Sequence, residues 1–181
     1  MHPIINDYIF TGERLASILE KHYQKDQYLE SVFFKLSQSS LVKAIDSKMY
    51  IEIDQAIISG HPDNGVYLLF ISSVITYTAT FKEFERANAI QSIGLSLSRD
   101  KLHPILQAFF SLSLAVLKHY EGKSLESDQL LKETISLIDK KSPRYRTILY
   151  NLAGLIAEEG RLNELDKEDL ALIDDPLNDR H

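Results

Sequence analysis

A histidine beside a carboxylate is the most direct sign of metal binding or proton transfer that this sequence could carry. In a turn-like stretch, GHPDNG, it places His61 two residues from Asp63. A neutral imidazole and a carboxylate could together bind a metal or act as a general base. No two of the six histidines have the four-residue helical spacing that lets both bind one zinc ion. Because Gly and Pro surround the pair, we interpret it as a solvated loop between helices.

Serine nucleophiles and paired acids are the other candidates for chemistry. The serines of SIGLSLS and FFSLSLAVL alternate with leucine, and no G-x-S-x-G, P-loop or G-x-G-x-x-G pattern accompanies them. Acid pairs such as Glu158 with Glu159 lie in strongly polar segments, where nothing would raise a carboxylate pKa. We therefore predict small residues at helix contacts and solvated acids, and a protein that is not an enzyme and needs no metal or cofactor.

Composition limits the kind of protein further. The 181 residues are 44% apolar and 25% charged, which is typical of a globular chain, and none is cysteine. Disulfides and thiolate sites are thus excluded, and a reducing, cytoplasmic location is the expectation. The start, MHPIINDYIF, lacks the pattern of a signal peptide. The longest apolar stretch, VYLLFISSVITYTATF, is too short and too rich in Ser and Thr for a membrane span, so we predict a buried helix and no membrane insertion.

The net charge of −6 is concentrated at the C-terminus. Up to Ala157 the chain has 17 acidic and 17 basic residues, whereas residues 158–181 have nine acidic and three basic ones. Nucleic-acid binding requires a basic surface. We therefore do not expect a nucleic acid as a partner.

Helical patterns account for most of the chain. Gly and Pro are few and stand where helix connections would lie, and no stretch alternates strictly between apolar and polar residues. Thr11 can cap a first helix, and QYLESVFFKLSQSSLVKAI and KMYIEIDQAIIS are further candidates. We predict an all-α protein of roughly seven to nine helices with antiparallel neighbours.

The last two-thirds of the sequence repeat themselves with a period of about 40 residues, which is in the range of known helical repeats. Columns of similar size and polarity are Leu69/Phe109/Leu149, Phe70/Phe110/Tyr150, Ser73/Ser113/Ala153, Ile90/Leu130/Leu170, Ala87/Ser127 and Gly94/Thr134. A large residue is followed four positions later by a small one, which lets a neighbouring helix approach closely. Such a period is typical of stacked helix pairs.

These residues resemble the tetratricopeptide repeat (TPR). The match runs through Leu149, Leu152, Ala153, Ile156, Gly160 and Leu162, and in the preceding unit through Phe109, Leu112, Ser113 and Val116. The period exceeds the usual one of about 34, Leu165 stands where a small residue is expected, and Asp169 interrupts the last helix. The resemblance implies antiparallel helix pairs stacked as a right-handed superhelix.

The resemblance also implies a division of the chain. We predict one domain over 1–181, with N-terminal helices in 1–64 that form a further divergent repeat or a separate element. TPR-like repeats would follow in 65–176, and an acidic tail in 177–181.

A TPR-like array binds a segment of another protein or peptide in the groove lined by its first helices. By the family pattern the groove candidates are Phe110, Ser111, Leu114, Tyr150, Asn151, Gly154 and Ala157. Phe110 and Tyr150 are the candidate anchors, with a core role as the alternative. Arg146, in the basic stretch DKKSPRYR, could bind an acidic segment of a partner or the chain's own tail.

The first hypothesis is therefore an adaptor or chaperone, and small TPR-like proteins of this size include secretion chaperones. The alternatives are a helical ligand-sensing or enzymatic domain with a buried polar pocket, and a structural subunit that associates with itself as a homo-oligomer. A buried polar cavity would favour the ligand-sensing or enzymatic domain, and an open apolar groove would favour the adaptor or chaperone.

The repeat alignment makes a prediction about packing. Ala153 should lie at a close helix–helix contact, so Ala153→Leu should overpack the site and cost about 1–3 kcal/mol of stability. Thermal unfolding of the variant measures this, and an unchanged midpoint would count against the alignment.

Overall fold

The structure, a computed structural model, describes Val32 and residues 47–97, 102–141, 143–158 and 160–174. These residues form the α-helices α1 Ser47–Ser59, α2 Asn64–Thr80, α3 Phe84–Ser96, α4 Pro104–Tyr120, α5 Ser124–Ser136, α6 Pro143–Glu158 and α7 Lys167–Asp174, and a short 3₁₀ helix at Leu162–Glu164. No strand occurs among them, so the all-α expectation is confirmed for this part of the chain. The helix expected after Thr11, most of the next one and the tail at 177–181 lie outside the described residues.

Helix α2 contains the long apolar stretch. It has 17 residues, most of them buried, as the sequence predicted for a core helix. None of the described helices combines the length and apolar character that a membrane crossing requires. The Asp63 side chain caps α2, because its Oδ1 accepts hydrogen bonds from the N–H groups of Gly65 at 2.8 Å and Val66 at 3.0 Å.

The period found in the sequence reappears in the helix boundaries. Helices α2 and α4 both have 17 residues, and α3 and α5 both have 13. Helix α4 begins 40 residues after α2, and α5 begins 40 residues after α3, which equals the period found in the sequence. In each pair the second helix begins within four residues of the end of the first. The repeat inferred from side-chain types is thus also a repeat of local structure.

The turn after each first helix has one geometry. A residue in the left-handed region follows α2, α4 and α6: Lys82 with φ 63°, Gly122 with φ 77° and Gly160 with φ 71°. The next N–H then donates to the carbonyl five residues back, at 2.8 Å after α2, 2.8 Å after α4 and 2.9 Å after α6. These are Schellman turns, which satisfy carbonyls at the helix end.

The third helix pair follows the second at a shorter offset. Gly160 repeats the role of Gly122, but the interval between these two glycines is two positions shorter than the interval from Lys82 to Gly122. The columns that set Leu149, Tyr150 and Ala153 against α4 are therefore wrong by two positions. With the corrected offset, Ile148 takes the place of Phe110, and both are buried.

Helix α4 is shared by two hydrophobic cores. Leu106, Phe110 and Leu114 belong to the first core, which also contains α2 and parts of α1 and α3. Ala108 and Leu112 belong to the second core, with residues of α5 and α6. Phe109, Val116 and Leu130 pack against both cores. Both long faces of α4 are thus covered by neighbouring helices.

Two of the three small residues aligned in the repeat, which were expected at close helix contacts, are buried. Ser113 and Ala153 are buried, whereas Ser73 is half-buried. Ser127 is buried and its Oγ donates to the carbonyl of Ala115 across the α4–α5 contact at 3.0 Å. Small side chains therefore lie at helix contacts, with a hydroxyl that also links the two helices.

Polar contacts repeat at the junctions between helix pairs. Each joins a side chain on a second-helix position to a turn 33 residues later: Tyr50 to Glu83, Asn88 to Glu121, and Asp128 to Arg161. Helix α1 thus makes the same kind of contact with a later turn as α3 and α5 make. A further divergent repeat in 1–64 was one of the alternatives left open by the sequence.

Glu121 is a junction residue with three side-chain partners. Its carboxylate is largely buried and accepts hydrogen bonds from Lys123 at 2.8 Å, Asn88 at 2.5 Å and Lys118 at 3.1 Å. Burial by itself would raise the pKa of Glu121, but the hydrogen bonds from Lys123, Asn88 and Lys118 outweigh it and lower the pKa to about 2.

This lowered pKa predicts how stability depends on pH. The ionised Glu121 stabilises the fold above its ordinary pKa of 4.5, and the contribution is lost as the pH falls towards about 2. Glu121→Gln should thus lower stability at pH 7 by about 1–3 kcal/mol, and the difference from wild type should shrink below pH 4.5. Urea unfolding across pH measures this, with the exposed Glu126→Gln as control. A difference that did not change with pH would contradict the junction role.

Candidate functional site

Three of the predicted groove residues are inside the protein. Phe110 is 0% exposed, Ser111 7% and Leu114 5%. As groove residues they would have to be accessible to a partner, so the structure contradicts their placement. Phe110 takes the core role that the sequence left open as the alternative.

Phe110 is held by a close contact with α3. A Cβ atom added to Gly94 would lie 2.3 Å from Phe110 Cε2 and 3.1 Å from Ile71 Cγ2. The phenyl ring therefore occupies the space that the absent side chain of Gly94 leaves. This contact joins α2, α3 and α4, and no ligand could take its place without opening the core.

The predicted groove residues of α6 have a different environment. Gly154 and Ala157 are exposed and Arg146 is half-buried. Tyr150 and Asn151 belong to the helix, but their side chains lie outside what the structure describes. Gly154 and Ala157 are thus accessible, and the groove role of the α6 residues stays a prediction.

Half-buried residues of α2 and α4 occupy repeat positions equivalent or close to that of the exposed Gly154. Thr76 and Val116 are equivalent positions in the first two pairs, and Gly154 is their equivalent at the shorter offset of the third pair. Since equivalent positions on stacked helices lie side by side, we define a first-helix face that consists of Gly154 and the half-buried residues around it. These residues are Ser73, Thr76 and Tyr77 of α2 and Phe109, Val116 and Tyr120 of α4.

The chemistry of the first-helix face is mainly apolar. The hydroxyl of Ser73 donates to the carbonyl of Leu69 at 3.1 Å, and that of Thr76 to the carbonyl of Ser72 at 3.0 Å. Their donors are thus used within α2, as is common for Ser and Thr in helices. The face presents the Thr methyl group and the half-buried aromatic rings of α4, which suit an apolar ligand better than a reacting one.

The sequence left Phe110 open between the groove and the core, and it used Phe109 as the large core residue. In the structure Phe110 is fully buried, whereas Phe109 is half-buried and packs against both cores. The signal that could have separated them is Gly94, because a glycine within a helix marks a close approach by a large neighbouring side chain. In the repeat alignment Gly94 corresponds to Thr134, but the alignment could not show that the Phe110 ring fills the space beside Gly94.

The remaining candidates for chemistry have structural roles. Asp63 caps α2, and His61 Nδ1 accepts a hydrogen bond from the Asp63 N–H at 3.0 Å, as expected for a loop between helices. Ser113 Oγ donates to the carbonyl of Phe110 at 2.7 Å. Within the described ranges, no three His, Asp or Glu side chains gather as a metal site would require.

The basic stretch DKKSPRYR does contact acidic residues. Lys140 Nζ lies 2.9 Å from Asp166 Oδ2 and 3.3 Å from Asp169 Oδ1. The sequence had pointed to Arg146 of this stretch as the acid-binding residue. The structure shows Lys140 in contact with two acids of the C-terminal segment, Asp166 and Asp169.

The neighbouring phenylalanines allow a matched test of the site. Phe110→Ala should remove a fully buried ring and cost about 3–5 kcal/mol of stability. Phe109→Ala should cost roughly half as much or less, since its ring is already half accessible. Urea unfolding of both variants measures the difference, and equal losses would show that Phe109 is as much a core residue as Phe110.

Comparisons with known proteins give no family for this chain. No family model matches it, and neither the curated proteins nor the solved structures contain a significant match.

Proposed function

We propose that this protein is a TPR-like binding module that holds an apolar segment of a partner protein on the first-helix face. The observation that carries the proposal is the column formed by Thr76, Val116 and Gly154, equivalent positions on three first helices that are half-buried or exposed, with the half-buried aromatic residues Tyr77, Phe109 and Tyr120 near it in the sequence. Aromatic side chains on such a face bury much area on binding and lose few rotamers, so they are suited to anchor a partner.

The repeated architecture supports this proposal. The first two helix pairs have the same lengths, and all three first helices end in Schellman turns, which supports a stacked array. In such arrays the side chains that face away from the neighbouring units form an extended surface. The TPR-like superhelix is part of the proposal, and the regular offsets between the helix pairs are the feature of this chain that supports it.

The chemistry of the face favours binding over catalysis. Its described hydroxyl groups donate to their own helix, and the nearest charged groups are engaged elsewhere: Lys118, for example, pairs with Glu121 at 3.1 Å. A partner segment with apolar side chains at regular spacing would fit this surface better than an acidic or phosphorylated one. A chaperone that covers an apolar segment of another protein is one form of this function.

Site-specific photo-crosslinking in the native host tests the proposal. A photoreactive phenylalanine analogue at Tyr120 or Thr76 should give a discrete crosslink to one partner protein. The same analogue at Leu125, which is 86% exposed on α5, is the matched control and should not give that crosslink. Crosslinks that are equal at all three positions, or absent from the first-helix face, would contradict the proposal. A crosslink to a second copy of the chain would support self-association instead.

A further inference from the structure

The second helices of the array are attached through buried side chains. In α3 these are Ala87, Ile90 and Gly94, and in α5 they are Ser127, Leu131 and Thr134. Helix α7 is the corresponding helix of the third pair. Between Lys167 and Leu172, where its side-chain exposure is described, Asp169 alone is buried.

Asp169 stands at an apolar position of the repeat. At the offset of the third pair it corresponds to Leu131, so a carboxylate occupies the place of a leucine. Burying a carboxylate is costly unless it is hydrogen-bonded and paired. The Tyr145 hydroxyl lies 2.9 Å from Asp169 Oδ1 and 3.0 Å from Oδ2, and Lys140 Nζ lies 3.3 Å from Oδ1.

Among the described residues, the other contacts of α7 and of the segment just before it are the Lys140–Asp166 ion pair at 2.9 Å and two leucines. Helix α7 has eight residues, compared with 13 in α3 and α5, and helices shorter than about 12–15 residues are marginal in water by themselves. Its apolar contribution is Leu172, and Leu165 just before the helix; both are only half-buried where they pack against the second core. The attachment of α7 therefore depends on the group formed by Lys140, Tyr145 and Asp169.

We infer that α7 is a releasable strap, latched by Asp169 onto Tyr145 and Lys140, and that it covers a second helix-binding surface. In the resting protein the occupant is α7 itself. The partner that could replace it is an amphipathic helix with an aspartate for Tyr145 and Lys140 and a leucine three residues later, as in Asp169 and Leu172. The inference adds a binding surface to the proposed function.

Amide hydrogen exchange on the full-length protein tests the strap. The amides of α7 should exchange faster than those of α4 and α6, because α7 opens without global unfolding. Asp169→Asn and Tyr145→Phe each remove one side of the latch, so each should accelerate exchange in α7 by at least about tenfold and leave α4 unchanged. Glu168→Gln, an exposed neighbour on the same helix, is the matched control and should change nothing.

Three results would overturn the strap. Exchange in α7 that equals that of α4 in the wild type would show that α7 opens only when the whole protein unfolds. Latch variants that accelerated exchange equally in α4, α6 and α7 would lead to the same conclusion. Variants that accelerated exchange in none of these helices would show that the latch does not hold α7.

A synthetic peptide tests the surface beneath the strap. A fluorescein-labelled peptide with the sequence of residues 161–174 should bind Asp169→Asn protein more tightly than wild type, because the variant's own α7 competes less. A peptide that itself carries Asp169→Asn should bind at least about tenfold more weakly. Equal binding of the first peptide to both proteins, or none, would exclude the surface. Since the crosslinking positions on α2 and α4 lie outside α7, failure here is distinguishable from failure of the proposed function.

Discussion

The seating of Phe110 against Gly94 is the contact on which the arrangement of the helices depends. A side chain at Gly94 would collide with the ring, so the backbone of α3 can approach α4 only because residue 94 has none. That approach places Leu106, Phe110 and Leu114 of α4 in the first core, while Ala108 and Leu112 pack with residues of α5 and α6 in the second core. The order of the helices then determines which residues stay at the surface. Phe110 is fully buried in this contact, whereas the neighbouring Phe109 is half-buried between the two cores.

Much of this fold follows from local patterns in the sequence. Gly and Pro positions, apolar spacing and the self-similarity of the chain predicted the helices, and the boundaries of α2, α3, α4 and α5 repeat with the same period. The third pair was misaligned by two residues because side-chain size alone could not show that the connection before α6 and α6 itself are each one residue shorter than their counterparts at α4. The position of Gly160 relative to Gly122 gives the correct offset. A glycine in the left-handed region marks the end of a helix more precisely than a set of aligned apolar residues does.

The candidate site was harder to predict, for a physical reason. Phe109 and Phe110 are chemically identical neighbours, and only a contact across helices distinguishes the buried ring from the accessible one. Asp169 posed the same difficulty. In sequence it interrupts an apolar pattern, whereas in the structure Tyr145, 24 residues earlier, satisfies it. Buried polar residues are stabilised by distant partners, and a pattern read along one helix cannot supply those partners.

The junction contacts have a mechanical consequence. They all lie at the end of the helices where the turns after α2, α4 and α6 are found, whereas the apolar contacts extend along α2 and α4. Bending that separates the turns must lengthen these polar contacts. The Asp128–Arg161 pair is partly exposed, with side chains 25% and 27% accessible, so dissolved ions weaken it. Ionic strength therefore acts on this end of the helices, where the turns lie, and much less on the buried apolar contacts along α2 and α4.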